Sequence, residues 1–159
     1  MNPQAAGELV RAWVDSHEDP AAVARQGGPV SRAVRELAPD ADRMGIGQSP
    51  TGPVMAVLLE SAMLVFQSKP HAAASEAATP VRARLLALDP VTCELEVTER
   101  FEERAGGQSV RVHSWQLRTP AVELTFDGRQ TLQGGLEGGA DANEDLGRAV
   151  AAKLGWTLP

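Results

Sequence analysis

The chain has 159 residues, with 15 basic and 21 acidic side chains and a formal net charge of −6. This negative charge disfavours binding to nucleic acid or to an anionic membrane. The length and the 43% apolar content suit one globular domain, and a single cysteine excludes an intrachain disulfide. We expect one domain over residues 1–159, without a signal peptide. The single cysteine suits a reducing compartment and predicts the cytoplasm. Arginine greatly outnumbers lysine, as in GC-rich bacterial genes, which predicts a bacterial source.

The sequence up to residue 43 predicts a helical N-terminal segment. Apolar residues recur at helical spacing between Leu9 and Val14, which predicts an amphipathic helix. Asp19-Pro20 predicts the start of a short second helix that Gly27-Gly28 ends. The apolar stripe between Val30 and Leu37 predicts a third helix.

Two interpretations stay open for residues 54–67, which are almost wholly apolar. Residues 44–53 before them are rich in glycine and proline and predict a linker. Met, Ala and Leu favour a single buried helix by a small margin. The alternative is two short strands that turn at Glu60-Ser61, although no glycine or asparagine marks that turn.

From Val81 to Gln133 the apolar pattern has a period of two, which predicts an antiparallel meander. Gly106-Gly107 and Asp127-Gly128 are predicted hairpin turns. The polar residues 129–133 predict a final edge strand. One apolar strand face is expected to lie in the core: Cys93, Leu95, Val97 and Phe101.

The C-terminal residues predict a connector and a helix. Residues 134–139 are rich in glycine, Asp141 with Glu144 resembles a capping box, and Gly155 suits a helix end. The predicted fold is therefore α+β: N-terminal helices, an antiparallel meander of four to six strands, and a C-terminal capping helix, the last two within residues 54–159. This element order resembles that of pleckstrin-homology-like and helix-grip domains, and no motif assigns the chain to either family.

The hairpin at Gly106-Gly107 predicts one mostly polar sheet face. In the expected register the glutamate side of the first strand faces a histidine, an arginine and two apolar residues of the second. The two apolar residues, Trp115 and Leu117, either lie under another element or form an exposed hot spot of the kind that protein partners use. The predicted partner-contact surface comprises Glu96, Arg111, His113, Trp115 and Leu117.

No pattern assigns a catalytic residue, a cofactor or a metal site. We therefore predict a non-enzymatic protein-interaction domain, which binds another protein or, as a homodimer, a second copy through this face. The alternative is a helix-grip-like domain, binding or converting a small molecule in a pocket between the sheet and the C-terminal helix, with His113 in its lining. Cys93 is predicted to be buried and inert, because an apolar strand face lacks the base that activates a thiol.

Overall fold

A computed structural model describes residues 3–68, 81–103, 106–107, 109–128 and 137–156. These described residues form three helices and seven strands. The helices are α1 (Pro3–Asp15), α2 (Pro20–Leu37) and α3 (Glu137–Lys153). The strands are β1 (Arg43–Ser49), β2 (Gly52–Leu58), β3 (Ala62–Ser68), β4 (Val81–Ala87), β5 (Glu94–Glu103), β6 (Ser109–Arg118) and β7 (Glu123–Asp127).

The seven strands form one antiparallel sheet in the order β4-β3-β2-β1-β7-β6-β5. Helices α1 and α2 pack on one face, over β1 to β4, whereas α3 packs on the other face against β1 and β7. The predicted α+β architecture is confirmed, with more strands than expected. Among the described helices, none combines the length and the apolarity needed to cross a membrane.

Helix α2 continues through Gly27-Gly28 and Pro29, so the predicted helix end at the glycines is wrong. Its buried stripe runs unbroken across them, from Val23 to Val34. A Cβ atom on Gly27 would lie 3.1 Å from a methyl group of Val14 in α1. Gly27 therefore allows close packing of the two helices, which offsets the low helix propensity of glycine.

Residues 44–53 form most of β1 and the turn into β2, so the predicted linker is wrong. A Cβ atom on Gly45 would lie 2.5 Å from the side-chain oxygen of Asn143, and one on Gly47 would lie 2.6 Å from the ring of Phe126. These glycines therefore mark positions where other elements pack directly on the strand backbone. Gly52 has a φ of 136° and supplies the turn.

Residues 54–67 form β2 and β3, so the slightly favoured single helix is wrong. Val54, Ala56 and Leu58 face α3, whereas Met55 and Val57 face α1 and α2. A central strand buried on both faces is apolar throughout and shows no alternation. The sequence pattern for this segment was ambiguous for that reason.

The sheet curls strongly, because its two edge strands are consecutive in the chain. Only residues 88–93 join β4 to β5, and a fully extended connection of that length reaches about 25 Å. A flat sheet of this size would separate its edge strands by roughly 29 Å. The curl brings Arg84 of β4 within 3.2 Å of the backbone oxygen of Ala121, between β6 and β7. Leu86 of β4 and Leu95 of β5 consequently share one core with α3.

Helix α3 begins at Glu137, before the predicted capping box at Asp141, and the predicted end at Gly155 is confirmed. Gly155 has a φ of 84°, and the backbone N–H groups of Gly155 and Trp156 donate to Ala152 and Ala151. This pair of bonds is a Schellman motif. Residues 69–80, the predicted edge strand 129–133 and the connector residues 134–136 lie outside the described residues.

Candidate functional site

Strand β5 is the most exposed strand of the sheet. It has ten residues, of which only Leu95 is buried. It pairs with β6 on one side, and no described strand pairs with it on the other. The unpaired N–H and C=O groups of an edge strand can bind a further strand.

Two large apolar side chains of β5 face solvent on the side of the sheet that carries α3. Phe101 is 70% exposed and Val97 is 37% exposed. Phe101 lies opposite Arg111 of β6, and Val97 lies opposite Trp115. An exposed phenylalanine on an unpaired edge strand is a typical anchor for a partner, because burying it removes apolar surface from water.

An ion-pair network lies beside these residues and connects β5, β6 and α3. Nδ1 of His113 lies 3.2 Å from the carboxylate of Glu144, and Nε2 lies 3.3 Å from that of Glu99. Arg111 pairs with Glu99, and Arg148 pairs with Glu144 at 3.0 Å. The ring nitrogen of Trp115 donates to Glu144 at 3.2 Å.

The electrostatics of this network follow from its arginines. The hydrogen bond from Arg111 holds the pKa of Glu99 below its ordinary value, and Glu99 in turn raises the pKa of Arg111. Glu99 accepts a hydrogen bond from Arg111, and Glu144 accepts one from Arg148. Both carboxylates also face His113. Only the imidazolium form of His113 can donate to both carboxylates at once.

This geometry suits the attachment of α3 to the sheet better than catalysis. A general base needs a free lone pair aimed at a substrate in a cleft. Here both ring nitrogens of His113 face carboxylates of the chain itself. The described residues contain no group of three or more side chains arranged to hold a metal ion.

The structure places Trp115 and Leu117 in the core, 2% and 0% exposed, so their predicted position on an open face is wrong. In the observed register Trp115 pairs with Val97 and Leu117 with Leu95. The expected register was shifted by one residue, which moves every side chain of a strand to the opposite face. Both residues lie under α3, where Gly147 makes room for the indole of Trp115.

The three polar residues of the predicted surface are separated by the sheet. Arg111 and His113 share a face with Glu99. Glu96 lies on the opposite, open face, 3.6 Å from Arg118. The structure thus brings together a histidine, an indole and two carboxylates near this hairpin. The carboxylates are Glu99 and Glu144, and the predicted Glu96 is not one of them.

The sequence reasoning missed Glu99, Glu144 and the exposure of Phe101. Glu99 interrupts the apolar alternation between Val97 and Phe101, and this interruption indicated that the core side of β5 becomes polar there. Glu144 comes from α3, which is distant in sequence, and only the tertiary packing places it against His113. The alternation of β5 places Phe101 on the core face. Phe101 does lie on the side of the sheet that carries α3, but it is exposed there.

The other edge strand, β4, is also largely exposed. It pairs only with β3 among the described strands. Leu86 is its buried residue, whereas Leu85 is 64% exposed.

The interface between α3 and the sheet is filled by side chains. Leu146, Val150 and Leu154 of α3 pack against Trp115 and Phe126 in one core. The cavities of the described residues include a groove between α1 and α2 and a depression beside Trp156. The alternative of a ligand pocket under α3 gains no support from this packing.

Comparisons with known proteins identify no relative. No family model, no curated protein and no solved structure matches the chain.

Proposed function

We propose that this chain is a non-enzymatic protein-interaction domain that binds its partner along the exposed edge of β5. The observation that carries the proposal is the exposed edge of the ten-residue strand β5. No described strand pairs with this edge, and the strand exposes Phe101 and Val97. The partner would add a strand to the sheet, with main-chain hydrogen bonds giving affinity and side-chain contacts giving specificity.

The network around His113 supports this function by fixing the strand that would be used. Glu99 of β5 is bound by Arg111 and His113 of β6, and His113 is bound by Glu144 of α3. A strand held in this way loses little further conformational freedom on binding, and such preorganisation raises affinity.

The same observations favour Phe101 as the energetic centre of the contact. Aromatic residues dominate binding energy when a partner covers them completely, while surrounding charges contribute less. Glu96, Glu102 and Glu103 flank it on the strand and are exposed. These carboxylates would select the partner by charge rather than supply most of the affinity.

Site-specific photo-crosslinking tests the proposal. A benzophenone amino acid is placed at position 101 of the full chain in the cells that make it, and at position 91 as a matched control. Val91 is 90% exposed but lies in the turn before β5. We expect defined adducts at position 101 that are absent at position 91.

The identified adduct partner is then purified and titrated against the wild-type chain and the Phe101→Ser variant. We expect Phe101→Ser to weaken binding by about thirtyfold, because a truncated anchor of this kind costs roughly 2 kcal/mol. Equal cross-linking at the two positions, or equal affinity of the two chains, would exclude the β5 edge as the interaction site.

A further inference from the structure

The two edges of the sheet carry opposite charge. Strand β4 contains two arginines, Arg82 and Arg84, and no acidic residue. Strand β5 contains five glutamates and one arginine. Edge strands that carry charges of the same sign repel one another and remain apart. Opposite signs on the two edges make them complementary instead.

Among the described residues, neither edge strand is covered over most of its length. Arg82, Ala83, Arg84 and Leu85 are consecutive exposed residues of β4. Every residue of β5 from Glu96 to Glu103 is exposed. Within the described part of the chain, each strand has a single neighbour in the sheet and no ion pair joins one edge to the other.

Two registers that would pair β5 with the β5 strand of a second copy bring glutamates opposite one another. A two-fold antiparallel pair centred on Thr98 would place Glu94 opposite Glu102, although Glu96 would then face Arg100. A pair centred on Glu99 would place Glu96 opposite Glu102 and Glu99 opposite itself. Like charges directly opposite each other destabilise a strand pair. A basic, extended segment would meet no such repulsion from the five glutamates of β5.

We infer that this segment is β4 of a second copy of the chain, so that the sheet continues from one molecule into the next. The inference rests on the proposed function and names its partner. The seven residues of β4 fit within the ten of β5. The arginines of β4 would approach the glutamates of β5, and Leu85 and Phe101 would lose exposed apolar surface.

This contact joins two different surfaces of the same protein. Each copy offers one β4 edge and one β5 edge, so repetition of the contact builds a closed ring or an open filament. A molecule that lacks either edge can still use the other. Two variants, each with a different edge disabled, should therefore bind each other although neither binds itself.

Sedimentation velocity over a wide concentration range tests this prediction with two variants of the full chain. Arg82→Glu with Arg84→Glu reverses the charge of β4, and Glu96→Lys with Glu102→Lys neutralises the net charge of β5. We expect wild-type chains to associate and each variant to associate at least about tenfold more weakly. An equimolar mixture of the two variants should form a one-to-one complex.

Arg11→Glu with Arg32→Glu is the control for the β4 variant, because it changes the net charge by the same amount. It alters exposed residues of α1 and α2. This variant should associate like the wild type. Circular dichroism shows that each variant is folded, and hydrogen exchange should show protection of β4 and β5 amides on association.

Three results would overturn the inference. They are a wild-type chain that stays monomeric, a β4 variant that associates like the wild type, and a variant mixture that forms no complex. If the chain is monomeric but position 101 cross-links to a different protein, the proposed function stands and only the identity of its partner is wrong. If position 101 also gives no specific adduct, both proposals fail.

Discussion

The side-chain oxygen of Asn143 accepts a hydrogen bond from the backbone N–H of Ile46 at 2.8 Å, across 97 positions of sequence. Its side-chain nitrogen donates to the backbone oxygen of Asp127 at 3.0 Å. Strands β1 and β7 pair directly only at Gln48 and Thr125. The amide of Asn143 therefore bridges the two halves of the sheet where the backbone ladder between them ends.

Replacement of Asn143 by alanine should destabilise the fold by about 2–4 kcal/mol, because a buried N–H and a carbonyl would lose their partners. Chemical denaturation measures this change. Asp145→Ala, on the exposed side of the same helix, is the matched control and should have an effect within about 0.5 kcal/mol. Equal stability of the two variants would contradict a bridging role.

Two helical glycines should respond in opposite directions to alanine. A Cβ atom on Gly147 would overlap the indole of Trp115, whereas one on Gly28 meets no atom within 4 Å. Gly147→Ala should cost about 1–3 kcal/mol through overpacking. Gly28→Ala should add up to about 1 kcal/mol, because alanine has the higher helix propensity. Thermal unfolding of both variants measures the difference, and a stabilised Gly147→Ala chain would contradict the observed packing.

The Trp115→Ala variant should have a lower free energy of unfolding than the wild type, because the indole lies in the core. Removal of a fully buried tryptophan costs about 3–5 kcal/mol. Phe101→Ala, at an exposed position on the same side of the sheet, should change the free energy of unfolding by no more than about 0.5 kcal/mol. Urea denaturation distinguishes the two, and a Trp115→Ala variant of wild-type stability would show that the indole is not in the core.

The thiol of Cys93 should react slowly with a thiol reagent in the native protein and quickly after unfolding. It is buried, as the sequence predicted, and donates to the backbone oxygen of Ala87 at 3.5 Å. Reaction therefore requires opening of the connection between β4 and β5. Rapid labelling of the folded chain would contradict this burial.

The ion pair between Asp42 and Lys153 should make stability depend on pH in the acidic range. The hydrogen bond from Lys153, with a nitrogen–oxygen distance of 2.7 Å, lowers the pKa of Asp42 from its ordinary value of 3.8. A lowered folded-state pKa stabilises the protein fully above that ordinary value. This contribution is lost as the pH falls through the pKa of the folded state.

Asp42→Asn should therefore be less stable than the wild type at neutral pH, and the difference should disappear at low pH. Thermal unfolding at a series of pH values measures it, with Asp40→Asn as the control at a neighbouring exposed carboxylate. A difference that persists unchanged at the lowest pH would exclude the ion pair as its cause.

The sequence determined the elements whose signals are local. The amphipathic pattern after Pro3 and the turn at Gly106-Gly107 both predicted what the structure contains. The left-handed glycine at Gly155 did so as well. In each case a few neighbouring residues settle the conformation through backbone sterics or one-sided burial.

Tertiary structure decided the interpretation of the glycines at 27, 28, 45 and 47. In sequence they indicate breaks, because glycine has low helix and strand propensity. In the fold, three of them lie where a neighbouring element approaches the backbone: Gly27 at Val14, Gly45 at Asn143 and Gly47 at Phe126. These neighbours come from distant parts of the sequence, so no local pattern could identify them.

Register decided the candidate site. A shift of one residue in the pairing of β5 with β6 exchanges the buried and exposed sides of a strand, so Trp115 lies under α3. The sequence by itself determined that a histidine, an indole and carboxylates lie near one hairpin. Only the tertiary structure decided which carboxylates meet His113, because Glu144 reaches it from a helix that packs across the sheet. It likewise decided that Phe101 faces solvent, since the cover of a strand face depends on distant elements and not on its own alternation.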